Sequence, residues 1–152
     1  MTGQPVCYSC VRMAAGMAAP PRERVLDTDH WRLAHAFGTT LPGWLVLLPK
    51  VHVESLADLA PEAAAELGGL LRDVTAALQA AIGCTKTYVA LFAEAEGFSH
   101  LHFHVIPRMS DQPVELRGPA AFAALGHPPE RSVQPAEMDD IATRIRAQLP
   151  SP

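Results

Sequence analysis

The stretch His100-Leu-His-Phe-His-Val-Ile-Pro-Arg108 constrains this chain more than any other. Histidines at 100, 102 and 104 alternate with Leu101, Phe103 and Val105, the period-2 pattern of a half-buried β-strand. One face of that strand is imidazole and the other is core. Residues two apart on a strand are about 6.6 to 6.8 Å apart, so neighbouring imidazoles can share one ligand. Pro107 cannot donate to a ladder, and the strand is expected to end there.

Three of the chain's seven histidines on one face are more than an incidental polar surface. Two chemistries suit them. H-x-H can supply two metal ligands from one strand, or one imidazole can act catalytically with the others as helpers. The stretch resembles the signature of the histidine-triad (HIT) family of nucleotide hydrolases and transferases, His-φ-His-φ-His-φ-φ, often followed by Pro-Arg.

Length and composition restrict what such a strand can belong to. A chain of 152 residues, 49% hydrophobic, is expected to form one domain spanning 1–152, burying roughly two-thirds of its unfolded surface without disulfides. The formal charge of −4, from 16 acidic and 12 basic residues, gives no basic surface suited to a nucleic-acid polymer. No apolar run approaches the roughly 18 residues of a membrane span, and no secretory leader pattern is present. A cytoplasmic location is expected. Cys7 and Cys10 form a C-x-x-C, which in a reducing compartment reads as half of a metal site, with redox chemistry as the alternative. Cys84 reads as a small buried apolar residue.

Along the chain, a helical turn is expected after Cys10 and two short strands near 24–26 and 31–37, with His30 and His35 as turn or surface residues. Leu41-Pro-Gly-Trp44 turns into Leu45-Val-Leu-Leu48, an apolar run suited to a strand covered on both faces, ending at Pro49-Lys-Val-His52. After a single helical turn at 54–59, Pro61 opens the longest helix. Leu67, Leu71, Val74, Leu78 and Ile82 make its apolar stripe, and Gly83 stops it. Thr87–Phe92 is the next strand, expected to pair antiparallel with the histidine strand. A short helix at 119–125 and a terminal helix over 135–149, with the stripe Met138, Ile141, Ile145 and Leu149, complete the chain.

Pro49, Lys50 and His52 form a second block of resemblance to the HIT family, which has the same Pro-Lys-x-His after its central strand. The likeness covers residues 5–110 as a family core and leaves 111–152 as a C-terminal extension. It implies an α+β, HIT-like fold: an antiparallel sheet of about five strands with one long helix packed on it, to which the sequence adds a C-terminal helical extension. Such proteins are usually homodimers joined through that helix and the last strand. Zinc-bearing members, and the related galactose-1-phosphate uridylyltransferases, use a C-x-x-C, the His after Pro-Lys and the first His of the triad. The resemblance therefore implies a structural Zn2+ on Cys7, Cys10, His52 and His100. Four protein ligands leave no position for water.

The same resemblance gives His102 the attack on the α-phosphate of a nucleotide derivative and His104 a hydrogen bond to the phosphate or leaving group. Its Nδ1 held by a backbone carbonyl, His102 would keep Nε2 free. Ser99 is a candidate phosphate donor. The expected partner is a small nucleotide. Where many HIT proteins have Gly-His before the central strand, this chain has Gly43-Trp44; the acidic residue that often holds the ribose falls on Ala36, and the usual Asn and Gln between the last two strands are absent. Trp44 is expected to offer an aromatic face to the substrate at the mouth of the site. Glu94 and Glu96 in the loop before the triad are expected to disfavour long polyphosphates. Two other readings compete: a zinc-stabilised nucleotide-binding module without turnover, and a metalloenzyme with a catalytic metal on the triad.

Overall fold

The computed structural model describes residues 6–151, so the first residue of the expected family core lies outside the described residues. The chain forms an α+β fold around a five-stranded antiparallel sheet of order β1-β2-β3-β5-β4. The strands are β1 (Leu26–Asp27), β2 (Trp31–His35), β3 (Leu45–Pro49), β4 (Lys86–Leu91) and β5 (Phe103–Arg108). The helices are α1 (Tyr8–Met13), α2 (Pro61–Ile82) and α3 (Pro135–Gln148).

Alternation of side chains across the strands assigns the two faces. Leu33, Leu45, Leu47, Phe103 and Val105 turn towards α2, which buries Ala63, Val74, Ala77 and Leu78 against them. Trp31 is fully buried here, and its Nε1–H donates to the Ala63 carbonyl at 2.9 Å. Gly83 takes φ +72° and ends α2 in the left-handed conformation. The other face carries Ala36, Trp44 and Ile106, with Val46 and Tyr88 at their margin.

Residues after 111 are not an appendage. A 3-10 segment, Gly118–Ala124, packs Ala121 and Phe122 onto the face opposite α2. Main-chain bonds from Thr40 N to Ala124 O (2.8 Å), His127 N to Gly38 O (2.9 Å) and Val133 N to Thr39 O (2.8 Å) tie this part of the chain to the turn after β2. The chain then returns to the helical side, where α3 buries Met138, Ile141, Ala142 and Ile145. The expected stripe is present there, and Arg22 fastens α3 through Asp139 at 2.9 Å.

Three sequence expectations change. The histidine strand joins the ladder only at Phe103, because β3 ends its pairing at Leu47↔Phe103; His100 and His102 precede it. From Phe103 to Pro107 every residue of β5 is buried, so the half-buried alternation does not hold. The strand runs through Pro107, paired with Thr87, to Arg108. The β3 ladder reaches only Val105, which leaves Pro107 flanked by a single ladder, a setting where proline is tolerated. In the sheet order β5, last in sequence, is interior, and the edge on that side is β4.

Candidate functional site: one metal cluster and two further imidazoles

Cys7 sits at the N-cap of α1, and its Sγ accepts from the Cys10 backbone N–H at 3.4 Å. The C-x-x-C therefore opens a helix, with both sulfurs on the side that faces His100. From Nδ1 of His100 the sulfurs of Cys7 and Cys10 are 3.5 and 3.6 Å away, and Nδ1 of His52 is 3.6 Å from the Cys10 sulfur. All four ligand atoms lie within 4.8 Å of one another. A tetrahedral zinc with bonds of about 2.3 Å to sulfur and about 2.0 Å to nitrogen separates the two atom types by about 3.5 Å. The donors fit a zinc ion, and Cys7, Cys10, His52 and His100 would hold it.

The outer contacts agree with that orientation. His100 is 1% exposed, and its Nε2–H donates to the Pro49 carbonyl at 2.8 Å, which leaves the Nδ1 lone pair for a metal. Burial opposes ionisation of Cys7, but hydrogen bonds from Cys10 and His52 lower it overall, whereas burial and the neighbouring Cys7 sulfur raise Cys10. Two sulfurs and two imidazole nitrogens gathered this closely make a donor set suited to a soft cation.

His102 lies next along the chain. Its Nδ1–H donates to the His100 carbonyl at 2.7 Å, so Nε2 carries the free lone pair. His104 is bound the opposite way. The indole N–H of Trp44 donates to His104 Nδ1 at 3.0 Å, which puts the ring proton of His104 on Nε2. The His102 and His104 rings are 4.9 Å apart between centroids. Burial, with a smaller contribution from His102, lowers the His104 pKa to about 4 and keeps that ring neutral.

Trp44 is 0% exposed and offers no face at the mouth of the site, contrary to expectation. It is a buried clamp whose ring also meets Phe122 edge-on at 5.2 Å. His35 likewise is buried rather than on the surface: its Nδ1–H donates to Ala36 O at 2.7 Å, and Nε2 accepts the Gly43 N–H at 2.9 Å. Burial lowers its pKa, as a neutral ring with one donor and one acceptor requires. Gly43 has φ +87°, and a Cβ there would lie 2.7 Å from Ile82 Cδ1, so any other residue would strain this turn. His35 thus secures Gly43, Gly43 sets Trp44, and Trp44 holds His104. Ser99 directs its hydroxyl at Glu54 Oε1, 2.8 Å away, and not at the imidazoles.

Sequence reasoning missed His35 and Phe122. A signal for His35 existed in the Gly43-Trp44 turn, which needs a buried partner. Phe122, whose ring lies 5.0 Å from His104, had none, because it arrives from the far end of the chain. A separate aromatic cluster joins Tyr8 of α1, Phe37 after β2 and Phe98 before the triad, with centroids 5.0 to 5.9 Å apart.

A model of the HIT domain matches residues 19–111, more than half of the chain. The chain belongs to the HIT family. No curated protein matches it. Among solved structures, a Zn-bound histidine triad family protein from Mycobacterium smegmatis is 18% identical, with 94% of this chain and 92% of that one covered and a TM-score of 0.65. A hypothetical histidine triad nucleotide-binding protein from Sulfolobus tokodaii is 16% identical over 93% and 91%, with a TM-score of 0.69. A Hit-like protein from Bartonella henselae, described as involved in cell-cycle regulation, is 23% identical over 85% and 87%, with a TM-score of 0.66. These likenesses establish the HIT fold over nearly all of the chain. Among the described residues no helix is long and apolar enough to cross a membrane.

Proposed function

We propose that the chain is a HIT-type nucleotide hydrolase or transferase that cleaves at the α-phosphate of a nucleotide derivative, with His102 as nucleophile. The observation that carries this reading is the bond from His102 Nδ1–H to the His100 carbonyl, which leaves Nε2 free to face a phosphorus atom. Attack by Nε2 gives a nucleotidyl-histidine, and water then releases the nucleotide, dividing one difficult displacement into two easier ones. His104 assists with its Nε2–H, a fixed donor for the charge that develops on phosphate oxygens. Faces for a nucleobase come from Tyr8, Phe37 and Phe98 rather than from Trp44. Glu94 and Glu96 are exposed on the loop before the triad, which supports a preference for substrates with one or two phosphates over tetraphosphate-bridged dinucleotides.

Zinc on the four-ligand cluster supplies cohesion rather than chemistry, since no ligand position remains for water. We place the chain in the reducing cytoplasm, in keeping with its free cysteines. Residues 1–152 act as one domain, the extension contributing Phe122 to the site. A homodimer would form through α2 and the β4 edge, where Val89 and Phe92 are exposed. A second reading, nucleotide binding without turnover, is favoured by one observation: Trp44 and Phe122 both pack on His104.

The test is a panel of adenosine and guanosine phosphoramidates, dinucleoside polyphosphates and nucleotide sugars, assayed with wild type and His102→Asn. The substitution is expected to lower turnover by at least about a thousandfold, with a nucleotidyl adduct on His102 trapped in the wild type. Turnover that survives it removes the nucleophile assignment; nucleotide binding without any turnover selects the second reading.

A further inference from the structure

Trp44 does more than fill space behind the triad. Its indole N–H can donate but cannot accept, and it is aimed at Nδ1 of His104 at 3.0 Å. For His104 to give up its Nε2 proton and remain neutral, a second proton would have to arrive at Nδ1. Trp44 has none to give at accessible pH. Prior protonation at Nδ1 would place two hydrogens between nitrogens 3.0 Å apart. The remaining neighbours offer no relay: Phe122 covers the ring from the C-terminal segment, and His102 has its own proton committed to the His100 carbonyl. Ser99 is not a substitute, because its hydroxyl proton points to Glu54.

We propose that Trp44 fixes His104 as a hydrogen-bond donor that cannot serve as a general acid, and so restricts the site to nucleotide derivatives with a phosphate leaving group. The inference rests on His102 as nucleophile. In the first step the Nε2 lone pair of His102 forms the N–P bond while the P–O bond to the leaving group breaks. The electron pair leaves on a phosphomonoester oxygen, stable as an anion, which accepts a hydrogen bond from His104 Nε2–H without taking the proton. Water then attacks phosphorus, the N–P electron pair returns to His102, and the water proton passes to solvent. An amine leaving group would instead carry the pair away on nitrogen, a strong base unless a proton arrives in the same step. The substrate class is therefore a nucleoside diphosphate derivative with a P–O–P link, and not a phosphoramidate with a P–N link. Trp44 acts through His104 and is a positioning residue.

The experiment compares two substrates that share the AMP group, an N-alkyl adenosine phosphoramidate and an ADP sugar, using the full-length zinc-loaded protein. The ADP sugar is expected to show a kcat/KM at least about 100-fold higher, the scale of a missing general acid. Trp44→His, and independently Trp44→Phe if the first does not fold, should narrow that ratio by about tenfold or more, because either frees Nδ1 to take a proton. In parallel, 15N spectra should show His104 Nδ1 unprotonated throughout about pH 5 to 8. Equal or faster cleavage of the phosphoramidate by wild type overturns the inference and leaves His102 as nucleophile intact. A His104 ring that titrates in that range overturns it as well. If neither substrate turns over and no His102 adduct is trapped, the proposed activity itself falls and the substrate class with it, while the spectra still read the tautomer.

Discussion

The two ends of the triad are built from the same side chain and behave as opposites. His100 meets a carbonyl, that of Pro49, which can only accept; the ring proton therefore sits on Nε2 and the free lone pair points to the two cysteine sulfurs. His104 meets an indole N–H, which can only donate; the ring proton is again on Nε2, but here Nδ1 is consumed inside the protein and Nε2–H is the group left to bond. One histidine becomes a Lewis base and the other a fixed donor. His102, between them, has its Nδ1–H tied to a carbonyl and presents a lone pair. The identity of the partner on one nitrogen decides what the other nitrogen can do.

The strongest way to break this contrast is to remove the partners at one end. Cys7→Ala, or chelation of wild type, should abolish the metal site and lower stability by about 4 kcal/mol where free zinc exceeds its Kd a thousandfold. Metal analysis and thermal melts check this, and 15N spectra should show His104 unchanged. Near-stoichiometric zinc in the variant would remove Cys7 from the ligand set. The complementary change is Trp44→Phe, which keeps an aromatic ring but leaves the buried Nδ1 of His104 without its donor. Denaturant unfolding should show a loss of about 2 kcal/mol with zinc content unchanged. A neutral outcome would mean that water or another group replaces the indole.

The smallest effect is a pH dependence that sharpens the same point. His104 is held at about 4, below its ordinary 6.5, by burial and by His102. Between those values the unfolded chain takes up a proton that the fold refuses, so this contribution is complete above pH 6.5 and fades as pH falls to 4. His35, also lowered by burial, acts with the same sign. Unfolding at pH 7 and pH 5 should differ by on the order of 1 kcal/mol from His104, and His104→Gln should flatten the slope by that amount. An unchanged slope would place the proton elsewhere.

Much of this molecule was legible in sequence because the signals are local. The stripe from Leu67 to Ile82 and the stop at Gly83 set α2 correctly, since a helix face and its left-handed cap depend on residues a few positions apart. The apolar run at Leu45 marked β3, and the resemblance placed Cys7, Cys10, His52 and His100 together although they are far apart in the chain. What failed were judgements of exposure. His35 and Trp44 read as surface groups because a polar ring next to a turn usually is, yet the returning segment from 118 to 133 and the tight Gly43 turn bury both.

The sequence by itself therefore determined which residues could carry chemistry and the elements that hold them: three alternating histidines, a C-x-x-C half-site, a sheet and its helix. It could not say which nitrogen of each histidine would be free. That choice belongs to partners such as the Pro49 carbonyl, 51 positions from His100, and the Trp44 indole, 60 positions from His104. A proton follows the hydrogen-bond partner across space, and only the folded chain brings that partner within about 3 Å.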